Sequence, residues 1–464
     1  MGAIYRAGES KTRPGAYRRF EKTGVNSVAG AIYGVFAIPV HANFGPLDKV
    51  MSFGKDEVND LKAMYGTSGT VDAALALFDG GATKVHVYRL GTGGKEGTLS
   101  LGEVATLSTK YPTADNYNVT VKAKLGDETT KQIIVYLGTE RLETIEYTAS
   151  TSEKEALVAA VNSKSKYLTA KAGTGSGAVT EMANSKLTGG SAPTVTTESY
   201  SSAFEAFESL KWNYIVLDTC ETAVHALVAA YVARIYEDGA LGGAIIGEPT
   251  TVDFATRCEH ASAFNDEQII YLGSGYEDTS GNDIDGYLAV AKQAGIIGST
   301  ESNRSITHIV VPGAADTLEV LKNSQYEKAI TSGMVLLSPN EEGQVWFDSG
   351  VNTLISLNEN QDEGWKKIRR TATRFEMFDR IDRAVSPLIG QVNCDNIGIG
   401  DVVTAAQAVL DAMVAESKLY AGATFAEDPS YKRGPDYAHF IINADDMDSL
   451  EKIYLRYQFR FRAE

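Results

Sequence analysis

Residues 214–246, YIVLDTCETAVHALVAAYVARIYEDGALGGAII, decide the fold class of this chain. The stretch opens with the apolar run Tyr214–Leu217, carries apolar residues at the helical period over Ala223–Tyr236, and returns to an apolar run at Gly243–Ile246. Apolar strands that alternate with helices form parallel sheets covered by helices on both faces. The stretch therefore predicts one strand–helix–strand unit of a parallel α/β domain.

The same alternation continues on both sides and extends the predicted α/β domain over residues 195–350. The further predicted strands are Gln268–Leu272, Ile306–Val311 and Met334–Leu337. The further predicted helices are Tyr200–Leu210, Asp253–Phe264, Asp285–Ala294 and Ala314–Asn323.

Before this domain, the composition changes twice. Residues 28–92 combine strand-like runs with two short helical patterns, which predicts an α+β segment. In residues 93–194, Thr, Ser, Val and Gly dominate, and short alternating runs are separated by turn residues. This pattern predicts an inserted β-sandwich or barrel.

After the α/β domain, residues 351–448 predict an α+β C-terminal domain. Its predicted elements are the strand Trp365–Arg369, the helices Thr371–Ala384 and Val402–Glu416, and the strand Ala438–Ile442. The chain is thus predicted to be a multidomain protein of α/β and β regions, with residues 1–27 and 449–464 as extended terminal arms.

The C-terminal arm alternates strictly between apolar and polar positions. Its apolar positions are Ile453, Leu455, Tyr457, Phe459 and Phe461. A period of two predicts a strand with one buried face, and no hairpin partner follows it. Two interpretations stay open: the strand completes a sheet in its own subunit, or it adds to a sheet of a neighbouring chain.

The N-terminal arm contains Arg13, Pro14, Gly15, Ala16 and Tyr17. Because proline disfavours helix at the residue before it, this segment is predicted to be extended.

Charge is distributed unevenly along the 464 residues, whose 43 basic and 60 acidic side chains give a net charge of −17. An acidic protein is a poor partner for nucleic acid or for anionic membrane surfaces. Residues 1–24 hold six basic and two acidic side chains, and residues 451–464 hold four and two, so the body between them carries −23. Basic ends on an acidic body favour docking of one chain on another, although solvated ends are the simpler interpretation.

No motif for catalysis, cofactor binding or metal binding stands in a fitting context. Gly66-Thr67-Ser68 resembles a nucleophile motif but fits a helix end better, and Gly91–Lys95 lacks the Ser or Thr of a phosphate loop. The six histidines show no i,i+4 pair, and the three cysteines are far apart. We therefore expect no enzyme activity, no cofactor, no metal site and, lacking any apolar run near the ~20 residues of a membrane span, no membrane insertion. The alternative is a hydrolase with a dispersed triad that uses a serine with Asp218, His225 or His308.

Several features in order resemble the tail sheath proteins of contractile phage tails and phage-tail-like bacteriocins. They are the Arg13–Tyr17 arm, the β-rich insert, the α/β domain without a triad, the segment WKKIRR at 365–370 before a long helix, and the segment DSLEKIYL at 448–455 in a terminal strand.

The resemblance implies a subtilisin-like but non-catalytic α/β domain, an outward-facing insert and a C-terminal domain that faces the tail tube. It also implies that the arms, through Arg13, Pro14, Gly15 and Tyr17 and through Ile453, Leu455, Tyr457, Phe459 and Phe461, complete sheets in adjacent subunits. A basic cluster then becomes a candidate contact with an acidic tube, with a simple solvated surface as the alternative. Its members are Lys366, Lys367, Arg369, Arg370 and Arg374.

By the same resemblance, the chain is expected to assemble as a helical homopolymer of stacked hexameric rings in the bacterial host cytoplasm. Its partners would be a tail tube, a baseplate and a tail terminator, and contraction of the sheath would drive the tube through a cell envelope. A sheath subunit of a secretion system or of an extracellular injection particle is the related alternative.

Overall fold

The computed structural model of the chain describes residue 30, residues 32–149 and residues 153–460. The first strand, VFAIPV, is buried along its whole length, because it lies inside a sheet with both faces covered. The elements of this region are β1 (Val35–Val40), β2 (Val50–Gly54), α1 (Val58–Tyr65), α2 (Val71–Asp79) and β3 (Lys84–Arg89).

The next region is rich in β-structure, as its alternating pattern predicts. Two antiparallel sheets and one helix enclose a shared apolar core that includes Val119, Val135 and Leu157. The elements are β4 (Thr98–Ser100), β5 (Ala105–Thr109), β6 (Tyr117–Lys124), β7 (Asp127–Leu137), β8 (Glu140–Thr148), α3 (Glu153–Lys164), β9 (Leu168–Ala172) and β10 (Met182–Lys186). The sheet orders are β10-β6-β7-β8 and β4-β5-β9.

The central region alternates strands and helices. Asp253 begins one of its helices by accepting hydrogen bonds from the backbone of Ala255 and Thr256, at 2.9 and 3.4 Å. The elements are α4 (Thr197–Phe207), β11 (Tyr214–Val216), α5 (Thr222–Glu237), β12 (Gly243–Gly247), α6 (Phe254–Phe264), β13 (Ile269–Leu272), β14 (Tyr276–Asp278), β15 (Asp283–Ile284), α7 (Gly286–Ser299), β16 (Ala314–Thr317), α8 (Asn323–Thr331), β17 (Met334–Val335), β18 (Leu337–Pro339) and β19 (Val345–Phe347).

One seven-stranded sheet joins the first and central regions, in the order β17-β13-β12-β11-β1-β3-β2. All neighbouring strands are parallel except β2, which runs antiparallel to β3 at the edge. Helices cover both faces, and each face has its own apolar core. The parallel α/β sheet predicted from residues 214–246 is therefore present, and strands from residues 32–92 form one side of it.

The C-terminal region contains two long helices and a hairpin, namely α9 (Ile368–Val385), α10 (Asn396–Ala415), β20 (Thr424–Glu427) and β21 (Phe440–Asn443). By length and composition alone, α10 could cross a membrane, although we expected no such stretch from the sequence. Its periodic apolar residues, among them Val402, Val409 and Met413, are buried in a core shared with α9 and the hairpin. We therefore assign α10 to the core of this region.

A buried ion network attaches the C-terminal region to the start of the main sheet. Glu376 accepts hydrogen bonds from Arg380 at 2.9 Å and from Lys418 at 2.7 Å. It also accepts bonds from the hydroxyl groups of Tyr33 at 2.7 Å and Ser302 at 2.5 Å. Glu416 pairs with the same two cations at 2.7–2.9 Å, so the charges in this network are shared.

Three predicted elements of the central and C-terminal regions are wrong. Residues 306–311 form no strand and contribute only a single bridge between Val310 and Trp346. The predicted helix Ala314–Asn323 is replaced by β16, which pairs with β14, and the helix begins only at Asn323. The apolar residue Val320 in that pattern is fully exposed, so its spacing did not reflect a core face.

The predicted strand Trp365–Arg369 is also wrong. A 3-10 helix occupies Glu363–Lys366, and Asp362 caps it by accepting a hydrogen bond from the backbone N–H of Gly364 at 2.9 Å. The long helix α9 then starts at Ile368, earlier than expected. The local cap decides the conformation here, because it satisfies backbone donors at the start of a helix. The domain boundaries stay predictions.

Candidate subunit-linking surfaces

The C-terminal segment from residue 452 to residue 460 carries exposed apolar side chains. Ile453, Leu455, Tyr457 and Phe459 are 69–84% exposed. The rings of Tyr457 and Phe459 lie side by side with centroids 6.4 Å apart, as expected for residues two apart on one face of an extended chain. In the described part of the chain, this segment pairs with no strand. A row of exposed apolar groups beside unpaired backbone is typical of a surface that another chain covers.

Five of the predicted arm residues lie outside the described residues. They are Arg13, Pro14, Gly15, Tyr17 and Phe461. The assignment of these residues to subunit-linking arms stays a prediction.

The hairpin β20–β21 offers edges to which a strand could add. It is a two-stranded sheet, and among the described residues no third strand pairs with it. Phe425 and Phe440 stack with ring centroids 5.2 Å apart and point toward the core of the C-terminal region. Tyr431, Tyr437 and Ile441 are exposed on and beside the hairpin. An open edge with apolar side chains near it fits strand addition.

The predicted basic cluster is not a row of solvent-facing charges, because each member has a partner within its own chain. Lys366 pairs with the exposed Glu363 at 3.0 Å. Arg369 is buried and donates to the backbone oxygen of Ser302 at 3.2 Å. Arg374 pairs with Glu267 and lies 4.0 Å above the ring centre of Trp365.

The other two members of the cluster pair with acidic residues that precede the exposed C-terminal segment. Arg370 makes two hydrogen bonds with Asp446, at 2.5 and 2.6 Å. Lys367 lies 2.7 Å from Asp448 and 2.9 Å from Glu451. Burial lowers the pKa of Lys367, but its hydrogen bonds to the two carboxylates outweigh burial and raise the pKa overall. The sequence did not show that these basic and acidic residues pair, because 76 to 84 positions separate the partners.

The carboxyl edge of the main sheet is where the hydrolase alternative would place its dispersed triad. Asp218, directly after β11, accepts a hydrogen bond from His41 Nδ1 at 2.7 Å and from the Tyr200 hydroxyl at 2.8 Å. The Thr70 hydroxyl donates to the same carboxylate at 2.5 Å. The hydrogen bond with Asp218 raises the pKa of His41. His41 was not among the residues singled out from the sequence, although its position directly after β1 places it at the same edge of the parallel sheet.

Among the described residues, this histidine–aspartate pair has no third member of a triad. Within residues 32–149 and 153–460, no Ser, Thr or Cys side chain forms a hydrogen bond with the ring of His41. In the described residues, neither of the two histidines considered from the sequence forms a hydrogen bond with Asp218. His225 is buried, which lowers its pKa to about 4, and His308 stacks on Trp346 with ring centroids 3.9 Å apart. The arrangement can hold an oriented imidazole but positions no nucleophile beside it.

The same described ranges contain no group of three His, Cys, Asp or Glu side chains that could hold a metal ion. Cys220, Cys258 and Cys394 are free thiols.

Similarity to known proteins is found in sequence and in fold. Residues 194–353 match the family described as "Phage tail sheath protein central domain". The uncharacterized protein YqbK of Bacillus subtilis (strain 168) is 23% identical over 379 residues, which cover 79% of this chain and 78% of that protein. The sheath tail protein of Desulfitobacterium hafniense has a TM-score of 0.72 at 16% identity, over 93% of this chain and 100% of that one. The helical sheath of the anti-feeding prophage in its contracted state has a TM-score of 0.56 at 10% identity, over 97% of this chain and 99% of that one.

Proposed function

We propose that this chain, whose residues 194–353 match the phage tail sheath central domain, is the structural subunit of a contractile sheath. The subunit would polymerise helically around a tail tube, and contraction would drive the tube through a cell envelope. The observation that carries this proposal is the exposed apolar row of residues 453–459, which has no strand partner in the described chain. A single soluble subunit gains nothing from such a row, whereas a polymer buries it.

We propose that the C-terminal segment of one subunit adds as a strand to the open edge of hairpin β20–β21 in a neighbour. From Glu451, nine residues of extended chain reach about 30 Å, which is enough to leave the parent subunit. Main-chain hydrogen bonds would supply affinity, and the apolar face of Ile453, Leu455, Tyr457 and Phe459 would supply specificity. The N-terminal residues Arg13–Tyr17 would form the second arm, and Phe461 would extend the apolar face of the first.

The remaining parts of the proposal follow the family resemblance. The main α/β sheet would be a subtilisin-like domain without catalysis, the β-rich insert would face outward, and the C-terminal region would face the tube. The subunits would stack as hexameric rings between a baseplate and a tail terminator, after assembly in the bacterial host cytoplasm. Energy for contraction would come from a better-matched subunit interface in the contracted state and not from nucleotide hydrolysis.

Negative-stain electron microscopy of the purified protein tests the proposal. Wild type should form long hollow cylinders, and deletion of residues 452–464 should leave folded monomers. A sharper version replaces Ile453, Leu455, Tyr457 and Phe459 by serine, with Tyr454→Ser and Gln458→Ala on the opposite face as the matched control. The apolar-face variant should stay monomeric and the control should polymerise. Cylinders formed equally well by both variants would contradict strand exchange, and a wild type that stays monomeric at high concentration would contradict the sheath.

The fold likeness to the sheath complex of an extracellular contractile injection system supports an extracellular injection particle as a second setting for the same sheath subunit. For the hydrolase alternative, an activity-based serine probe should fail to label the native protein. Labelling that disappears in a His41→Ala variant would instead support a catalytic role for the histidine–aspartate pair.

A further inference from the structure

A short acidic segment connects the hairpin β20–β21 to the exposed C-terminal segment. We call residues 445–451 the root, and residues 452–460 the terminal segment. The root is tied to its own subunit through its backbone, since Tyr420 N–H donates to Asp445 O at 2.9 Å and Met447 N–H donates to Lys418 O at 2.9 Å. The terminal segment beyond it is exposed. The change from held to exposed chain thus occurs at Glu451.

The side chains of the root meet cations of α9 and of the turn before it. Arg370 holds Asp446 with two hydrogen bonds, at 2.5 and 2.6 Å. Lys367 bridges Asp448 at 2.7 Å and Glu451 at 2.9 Å. These five side chains are only 14–32% exposed. Their pairing is therefore less screened by solvent and salt than that of surface ion pairs.

The root also contacts the central region. Glu451 accepts hydrogen bonds from the hydroxyl groups of Ser305 at 2.8 Å and Thr307 at 3.2 Å. Arg369, which donates to Ser302 O, also donates to Ser449 Oγ at 2.9 Å. The last residue before the terminal segment is thus fixed against two parts of the body at once.

We propose that Lys367 and Arg370 form an electrostatic latch with the acidic root, which sets the point and direction in which the terminal segment leaves its subunit. This inference rests on the proposed strand exchange. Holding the root removes the conformational freedom of residues 445–451 before the terminal segment docks, so less entropy is lost on pairing with a neighbour. It also keeps the terminal segment within reach of one particular neighbouring edge. The basic residues are positioning residues for the linking strand, and their charges are already used inside the subunit.

Charge reversal with a matched control tests the latch. Lys367→Glu faces Asp448 and Glu451 with a third negative charge, whereas Lys366→Glu changes the neighbouring lysine, whose partner is Glu363. The double variant Lys367→Glu with Glu451→Lys keeps the net charge of the wild-type group. The readouts are the critical concentration for polymerisation, from sedimentation and electron microscopy, and hydrogen exchange at the Met447 amide in the unassembled subunit.

Lys367→Glu should raise the critical concentration about tenfold or more and speed exchange at Met447 by a similar factor, because a tenfold change is the scale of one well-formed partly buried pair. Lys366→Glu should change neither by more than about twofold, and the double variant should recover most of both losses. If Lys367→Glu polymerises like wild type, the latch is overturned, whether or not exchange at Met447 changes. Loss of binding to the tube protein with normal polymerisation would likewise overturn it in favour of a tube-facing cluster.

The two proposals fail in different ways. If wild type never polymerises, the sheath proposal is contradicted, and the exchange rate at Met447 in the subunit still tests whether Lys367 holds the root. If wild type polymerises and the apolar-face variant does not, strand exchange stands, and an unaffected Lys367→Glu variant removes the latch alone.

Discussion

Replacing Glu376 by glutamine tests the buried ion network that attaches the C-terminal region to the main sheet. The substitution keeps the shape of the side chain but removes its charge. Glu376 is 6% exposed and accepts four hydrogen bonds, two of them from the cations Arg380 and Lys418. With glutamine at this position, the two cations must share Glu416 alone. Removal of one partner from a buried ion pair typically costs about 3–5 kcal/mol, because the remaining charge stays buried.

Hydrogen exchange measured by mass spectrometry is the suitable assay, because a chain with several cores need not unfold in a single step. A loss of about 3–5 kcal/mol corresponds to roughly two to three and a half orders of magnitude faster exchange in α9. Tyr33→Phe removes the phenolic oxygen, which bonds to both Glu376 and Lys418, and should cost about 2 kcal/mol. Glu363→Gln, at an exposed ion pair, is the control and should cost less than about 1 kcal/mol.

The expected acceleration of exchange in α9 is largest for Glu376→Gln, smaller for Tyr33→Phe and smallest for Glu363→Gln. Exchange in α9 of the Glu376→Gln variant within about threefold of wild type would refute the reasoning. It would mean that desolvation of the charges cancels their attraction and that apolar packing alone attaches the region.

Three further predictions concern other polar groups. The hydrogen bond from Arg380 lowers the pKa of Glu416 from 4.5 to about 2, so Glu416 stabilises the fold above pH 4.5 and loses this contribution as the pH falls toward 2. The gap in urea midpoint between wild type and Glu416→Gln should accordingly be full at pH 6 and shrink below pH 4.5. His41 has the opposite pH dependence, because its pKa is raised in the folded state. Its contribution to stability is complete below pH 6.5 and is lost as the pH rises through the folded-state pKa. His41→Gln should therefore lower the melting temperature more at pH 6 than at pH 9. Arg89→Met should lower the stability measured in thermal melts by about 3 kcal/mol or more. The fully buried guanidinium donates hydrogen bonds to the backbone oxygens of Ala42, Gly45 and Pro112, and these would be lost. As the control, Leu125→Asn at an exposed hairpin tip should change stability by less than about 0.5 kcal/mol.

The resemblance to contractile tail sheath proteins, expected from the order of weak motifs, is confirmed by the central-domain match and by the fold of solved sheath proteins. The mixed α/β and β architecture is likewise confirmed. The wrongly predicted elements lie where the local residue pattern does not match the tertiary environment. Residues 314–323 carry helix-like spacing, but Val320 faces solvent and β16 pairs with β14 instead. At Trp365, a cap from Asp362 overrides the strand pattern.

The candidate site shows the same division. The alternation from Ile453 to Phe459 is visible in the sequence, and the exposure of both faces of that segment in one subunit is a property of the fold. The basic residues Lys367 and Arg370 were also visible in the sequence, but the sequence did not show which acidic residues pair with them. Neither the spacing of the basic residues nor that of the acidic residues indicates which groups meet across 76 to 84 positions of sequence.

The periodic features of this protein can be read from its amino-acid sequence alone: the strand–helix alternation of the main sheet, the β-rich stretch before it, and the apolar row near the C-terminus. These follow from spacings of two or 3.6 residues, which neighbouring residues set between themselves. Packing of distant parts of the chain places β1 between β11 and β3, pairs Asp218 with His41, and fixes the root of the terminal segment to α9 and the turn before it. Strand order and ion pairing depend on which distant surfaces pack together, and that choice is made by the total burial of apolar area and the satisfaction of buried polar groups over the whole chain.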